Sequence, residues 1–158
     1  MSDYRLGVKS HLYYSADSTL ASTNYVDIVE LTDLNMDNDA VLDSGMVLGS
    51  PIMQSDVCGF DITITGTLLR KDTAIFTYLE DLYNTGASCP FMCLDGAKDS
   101  NGARGVRAHM HITSWKRTQG PNARVAVNFT LKPIKGITDP VERVLVSAGA
   151  PVGTDYAL

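Results

Sequence analysis

The chain lacks a surplus of positive charge. Thirteen Lys and Arg stand against eighteen Asp and Glu, a formal net charge of −5 over 158 residues, and the isoelectric point is about 5.0. Gripping nucleic acid takes clustered cations that neutralise phosphates, so that class is disfavoured. Mild acidity still suits a surface past which nucleic acid slides. Long apolar runs are missing as well: nothing approaches the ~18–20 consecutive apolar residues of a membrane span. The opening MSDYRLGVKS has no apolar core of a secretory leader, so synthesis in a reducing cytoplasm is the expectation. Cysteine is scarce and odd in number, with Cys58, Cys89 and Cys93 alone. Free buried thiols are expected rather than a disulfide framework.

Catalytic signatures are missing too. There is no G-x-S-x-G, no G-x-x-x-x-G-K-[ST] and no G-x-G-x-x-G after a strand. His109 and His111 share a strand face, and Cys89 and Cys93 lie nearby in sequence. Cys89 and Cys93, however, stand roughly 13 Å apart on an extended strand, too far to share one ion. The glycines of DGAKDSNGARG join two strands and open no helix, so they read as a loop tip. No catalytic residue, metal or cofactor is assigned. The basic residues Arg104, Arg107, Lys116, Arg117, Arg124, Lys132 and Lys135 gather in the second half, some on the outward face expected to carry Trp115. The acids Asp33, Asp37, Asp39, Asp43, Asp56 and Asp61 gather in the first. Unlike halves suit head-to-tail self-association.

What is present is mostly strand periodicity. Leu6–Ser15 alternates, with Leu6, Val8, Leu12 and Tyr14 on one face and Lys9, His11 and Tyr13 on the other. Tyr25–Leu34 reads as a second strand. Asp56–Leu69 (DVCGFDITITGTLL) is the clearest: Cys58, Phe60, Ile62, Ile64 and Leu68 face in, and Asp61, Thr63, Thr65 and Thr67 face out. Cys89–Asp95 is a short strand. Val106–Arg117 alternates again, TQGPNA is turn chemistry, and Val125, Val127, Phe129 and Leu131 mark a returning strand. Asp72–Asn84 predicts the one helix, because Ile75, Phe76, Leu79, Leu82 and Tyr83 keep the spacing of an apolar stripe. Asp72 or Thr73 caps its start, and Gly86 ends it.

Two segments resist this pattern. Asn35–Gln54 (NMDNDAVLDSGMVLGSPIMQ) reads as neither helix nor strand, yet it carries Val41, Leu42, Met46, Val47, Leu48, Pro51, Ile52 and Met53. Long structureless connections are uncommon unless functional or disordered. The tail, Gly136–Leu158, reads either as a short helix capped by Asp139 or as an extended arm bearing Val141, Val144 and Leu145. The sum is one domain over 1–158: a mainly β, antiparallel sandwich or partly closed barrel with a flanking helix over about residues 72–84.

In this order the elements resemble a phage major tail tube protein. The resemblance rests on VELTDLNMD before the long loop, FDITITGTLLRKDTAIFTYLEDLYNTG across strand and helix, and VAVNFTLKPI at the end. It implies a non-enzymatic structural protein of the virion tail, assembled in the host cytoplasm without a membrane anchor. It implies six copies in a ring, inner strands joined into one barrel, and rings stacked into a tube through which DNA passes without sequence-specific binding. Sheath, tail terminator and baseplate proteins are the implied further partners. The long loop 35–54 and the arms Met1–Tyr4 and 136–158 are then the expected contacts between copies. A tube or adaptor of a bacterial secretion or injection system shares the fold. A monomeric ligand-binding β-barrel is the reading from another class, and it requires a pocket and a compact loop.

Overall fold

The computed structural model describes residues 10–20, 24–29, 31–46, 53–70, 73–119, 121, 125–134 and 141–155, with the backbone path alone at 43–46, 53–59 and 155. Among these stand β1 (His11–Ser15), β2 (Tyr25–Asp27), β3 (Leu31–Met46), β4 (Met53–Leu69), α1 (Ala74–Thr85), β5 (Ser88–Leu94), β6 (Arg104–Thr118), β7 (Ala126–Pro133), β8 (Glu142–Ser147) and β9 (Ala150–Asp155). The strands form one curled antiparallel sheet in the order β2-β1-β5-β6-β7-β4-β3. β8 pairs with β6 and β9 with β8. The expected fold class is the observed one, with more strands than the sequence pattern resolves.

The helix begins where Thr73 accepts a hydrogen bond from the Phe76 amide, and it ends at Gly86 in the left-handed region, φ +69°. Its buried stripe, Phe76, Leu79 and Leu82, packs against the core face of the sheet. There it meets Leu12, Ile64, Leu68, Cys89, Phe91, Cys93, Met110, Val127, Phe129 and Leu131. Ile75 is half-buried against the same core, and Tyr83 is 37% exposed.

A second core lies on the other side of β1 and β5. Tyr13, Tyr25, Met92, Leu94, Ala103, Val144 and Val146 form it. Every residue of β5 from Cys89 to Leu94 is therefore buried, alternating between the two cores. Tyr13, expected on an outward face, is 3% exposed. Arg107 shares the alternation of β6 that leads out of the first core, and it too is covered by the second. It is 7% exposed, and its Nε donates to Glu142 Oε2 at 2.5 Å.

The tail is neither a helix over its described part nor a free arm. β8 and β9 form a hairpin whose turn, Ala148 and Gly149, has two positive φ angles, the geometry of tight hairpin connections. Val144 is 3% exposed within its own subunit, and Val141 packs on the main core. Only Leu145 of the three expected contact residues is well exposed, at 43%. Residues 136–140 and 1–9 lie outside the described residues.

Candidate functional site: a polar sheet face and a projecting ribbon

The segment read as a structureless loop is largely strand. β3 and β4 pair from Leu31↔Leu68 out to Met46↔Met53. β7 is registered to β4 only from Ile64 to Leu69. Beyond that point β3 and β4 continue as a two-stranded ribbon over Asp37–Met46 and Met53–Thr63, roughly 30 Å long at ~3.3 Å per residue. A lone two-stranded ribbon is marginal in water. Val41 and Leu42 are 46% and 57% exposed on it, and so is Phe60 at 42%, against the expectation that Phe60 faces the core. The register shifts between Val41 and Leu42, where β4 carries one extra residue, the geometry of a β-bulge. Val47, Leu48, Pro51 and Ile52 lie outside the described residues, and Met46 and Met53 are placed by backbone alone.

The face of β6, β7, β4 and β3 turned away from the first core is polar. The strand registers align two rows across all four strands. One runs Asp33, Thr67, Asn128, Lys116 and the other Asn35, Thr65, Thr130, Ser114. Residues opposite one another in paired strands point to the same side. These eight side chains are hydroxyls, amides and single charges at the two flanks. Thr67 Oγ1 donates to Asn128 Oδ1 at 2.8 Å, and Lys132 lies 3.9 Å from Asp61. Asp37 and Asp39 continue the acidic flank along β3. At Gly66, which lies between the Thr positions, a Cβ would come within 2.9 Å of the Asp33 carbonyl and of the Phe129 ring. The sheet's inner layer is therefore packed directly under the polar face.

A bulge decides which part of the basic half reaches this face. The β6–β7 register shifts between Ile112 and Ser114. Past it, Trp115 lies opposite Phe129 and turns inward. Its ring meets Phe76 at 5.7 Å and stacks on Tyr83 at 6.2 Å. Arg117 follows and reaches Glu80 on the helix at 3.5 Å. The expected outward patch carrying Trp115 thus loses both groups, and Lys116 remains. Trp115 Nε1 and His111 Nδ1 are buried and meet no hydrogen-bond partner among the described residues.

A cleft of about 630 Å³ opens between the root of β3 (Leu34, Met36) and the β8–β9 hairpin (Arg143, Leu145, Thr154), floored by Cys93 and Val106. It is the concavity a monomeric binding barrel would use, although the connection beside it is an extended ribbon, not a compact loop. Cys89 and Cys93 are free and buried. Burial pushes the Cys93 thiol up to about 12 and raises that of Cys89. Neither is a ready nucleophile. Among the described residues no three His, Cys, Asp or Glu gather as a metal site.

The chain has the fold of tail tube proteins. It is similar to a chain in the tail of an empty gene transfer agent particle of C6 symmetry, with a TM-score of 0.68 and 14% identity over 84% of this chain and 96% of that one. It is similar to the SPP1 tail tube, at 0.65 and 14% over 96% and 80%. A chain of the anti-feeding prophage baseplate aligns at 0.62 and 9% over 92% and 99%. At such identities the likeness is one of fold. No family model matches the chain, and no curated protein matches its sequence.

Proposed function

We propose that this chain is a structural subunit of a phage-type tail tube. Copies associate side by side into six-membered rings, and the rings stack into a conduit for DNA. The polar face of β6, β7, β4 and β3 lines the bore. The observation that carries the reading is that face: rows of Thr, Asn and Ser with few charges, on a sheet whose other side holds the core and the helix. A bore through which a polyanion moves must not hold it, and a surface of hydroxyls and amides with acids at one flank offers few phosphate contacts. The fold likeness to tail structures, one of them of C6 symmetry, supports the same reading.

The ribbon serves stacking. It extends past the body of the subunit, and its exposed Leu42 becomes buried against a copy in the next ring. Covering one such side chain contributes about 1.5–3 kcal/mol, repeated at every subunit of a ring. The subunit performs no catalysis, and its home is the tail of the particle. The likeness to an anti-feeding prophage baseplate chain supports an injection-system tube as the second reading, with the same assembly and another cargo.

Sedimentation across a concentration series, with negative-stain imaging of the dense fraction, tests the proposal. Rings or tubes are the expected result. A monomer that persists at every concentration contradicts it and favours the binding-barrel alternative.

A further inference from the structure

We infer that the cleft between β3 and the β8–β9 hairpin is the seat of the chain's own residues 6–9, which dock there with Leu6 and Val8 turned onto its floor. The contact is made within one copy and does not depend on the ring assembly proposed above. Tether, parity and charge lead to it.

The chain enters at the cleft. Ser10, the first described residue, lines it together with Asp95. β1 pairs with β5 from His11↔Leu94 onward, so the residues before Ser10 continue from the cleft wall itself. Four residues of strand reach only ~13 Å. Residues 6–9 are therefore held beside the cleft by covalent connection, at an effective concentration on the order of mM. A separate molecule has no such advantage.

Parity decides what the segment presents. Leu12 belongs to the first core, and Tyr14 packs against it. Alternate residues of a strand share a face, so Ser10 lies on the same side. The cleft opens off that side, because its floor residue Cys93 belongs to the first core and pairs with Leu12. The same count carried back along LGVKS sets Val8 and Leu6 over the floor. The walls they meet are apolar: Met36 and Leu145 line the cleft and are 36% and 43% exposed. Covering such surface with two aliphatic side chains favours the docked segment.

Charge fixes the register. Arg104 and Arg143 line the cleft and are exposed at its rim. The cations of the segment are Arg5 and Lys9, and the parity that lowers Leu6 and Val8 keeps both away from the floor. A slip by one residue would turn them towards the two arginines and lift the aliphatic groups into water. A subunit closed in this way offers no ligand pocket between β3 and the hairpin.

Disulfide trapping in the full chain tests this. Leu6→Cys is combined with Met36→Cys in one variant and with Leu145→Cys in another, and circular dichroism confirms that each is folded. Under mild oxidation at least one variant should form the new disulfide within a single chain, identified by peptide mass, at a rate independent of protein concentration. A disulfide between two chains, formed faster at higher concentration, would give the cleft to a second copy. No disulfide between the paired positions in either variant would leave the segment elsewhere. Either result overturns the inference. Hydrogen exchange of the wild-type chain supplies a measurement that needs no cysteine variant. The Val8 and Lys9 amides should exchange at least ~tenfold slower than in an unstructured chain, and Leu145→Asp should remove that protection while the amides of β6 keep theirs. Weaker protection in the wild-type chain, or protection that survives Leu145→Asp, overturns it as well. Whether the wild-type chain assembles bears on the ring alone.

Discussion

Besides its pairing with β6 and its place in the second core, the C-terminal hairpin is held by a largely buried ion pair, and Glu142→Ala isolates it. The Arg107 and Glu142 side chains are 9% and 17% exposed, with the Arg107 Nε donating to Glu142 Oε2. An exposed pair of this kind is worth ~0–1 kcal/mol. Here the truncation leaves a guanidinium at the edge of the second core with no carboxylate, and breaking a buried pair costs about 3–5 kcal/mol. At an m value of ~2 kcal/mol/M the urea midpoint falls by about 1.5–2.5 M. Trp115 fluorescence reads the global transition. Hydrogen exchange at the Val146 amide, bonded to the Ala103 carbonyl, reads the hairpin itself. Arg107→Met combined with Glu142→Leu should recover most of the loss, because apolar groups of similar size replace a buried pair at little cost. Gly153→Ala should destabilise as well, since its Cβ would overlap both Glu142 Oε2 and the Arg107 guanidinium. A loss below ~1 kcal/mol for Glu142→Ala would show that the pair acts as a solvated one, and the account of the hairpin would be wrong.

Three further outcomes follow from the same packing. Trp115→Ala should lose about 3–5 kcal/mol in urea unfolding, while Trp115→Phe should lose far less, because it keeps the contacts to Phe76 and Tyr83 and removes a buried N–H that meets no acceptor among the described residues. Gly66→Ala should cost about 1–3 kcal/mol, since the new methyl meets the Phe129 ring and the Asp33 carbonyl; a neutral result would mean the two layers of the sheet are loosely apposed. Burial raises Cys89, and pushes Cys93 and Tyr78 up to about 12, so the folded chain keeps protons that the unfolded chain releases from about pH 9 upward. Stability from these groups is complete below that pH and falls as pH rises towards 12; a urea midpoint unchanged between pH ~8 and ~11 would contradict it.

The sequence reveals the helix and the Thr-rich strand because each has a single period and a single buried face. Ile75, Phe76, Leu79 and Leu82 can share one side only in a helix, and Ile62, Ile64 and Leu68 only in a strand. β5 misleads because both its faces are apolar, so its alternation hides two cores. The ribbon misleads because Asn and Asp are poor strand formers taken one strand at a time. In β3 they are held by pairing with β4 along their whole length. The bulge at Thr113 leaves no mark in TSWKRT, and it alone turns Trp115 from the polar face to the core. The tail did carry a signal. Val144 and Val146 are β-branched residues two apart in a short run, and an Ala-Gly pair follows, which is the pattern of a tight hairpin. The polar face was likewise present in the outward threonines of β4, but its partners Asn35, Asn128 and Ser114 join it only through the registers of three strand pairs.

A cryo-EM reconstruction of the purified assembly tests the central claim most directly, by showing which surface lines the bore. The account predicts a closed ring with Thr65, Thr67, Asn128 and Thr130 facing the channel and α1 on the outer side of the same sheet. A ring whose channel is lined by α1, or a particle with no channel at all, would contradict it.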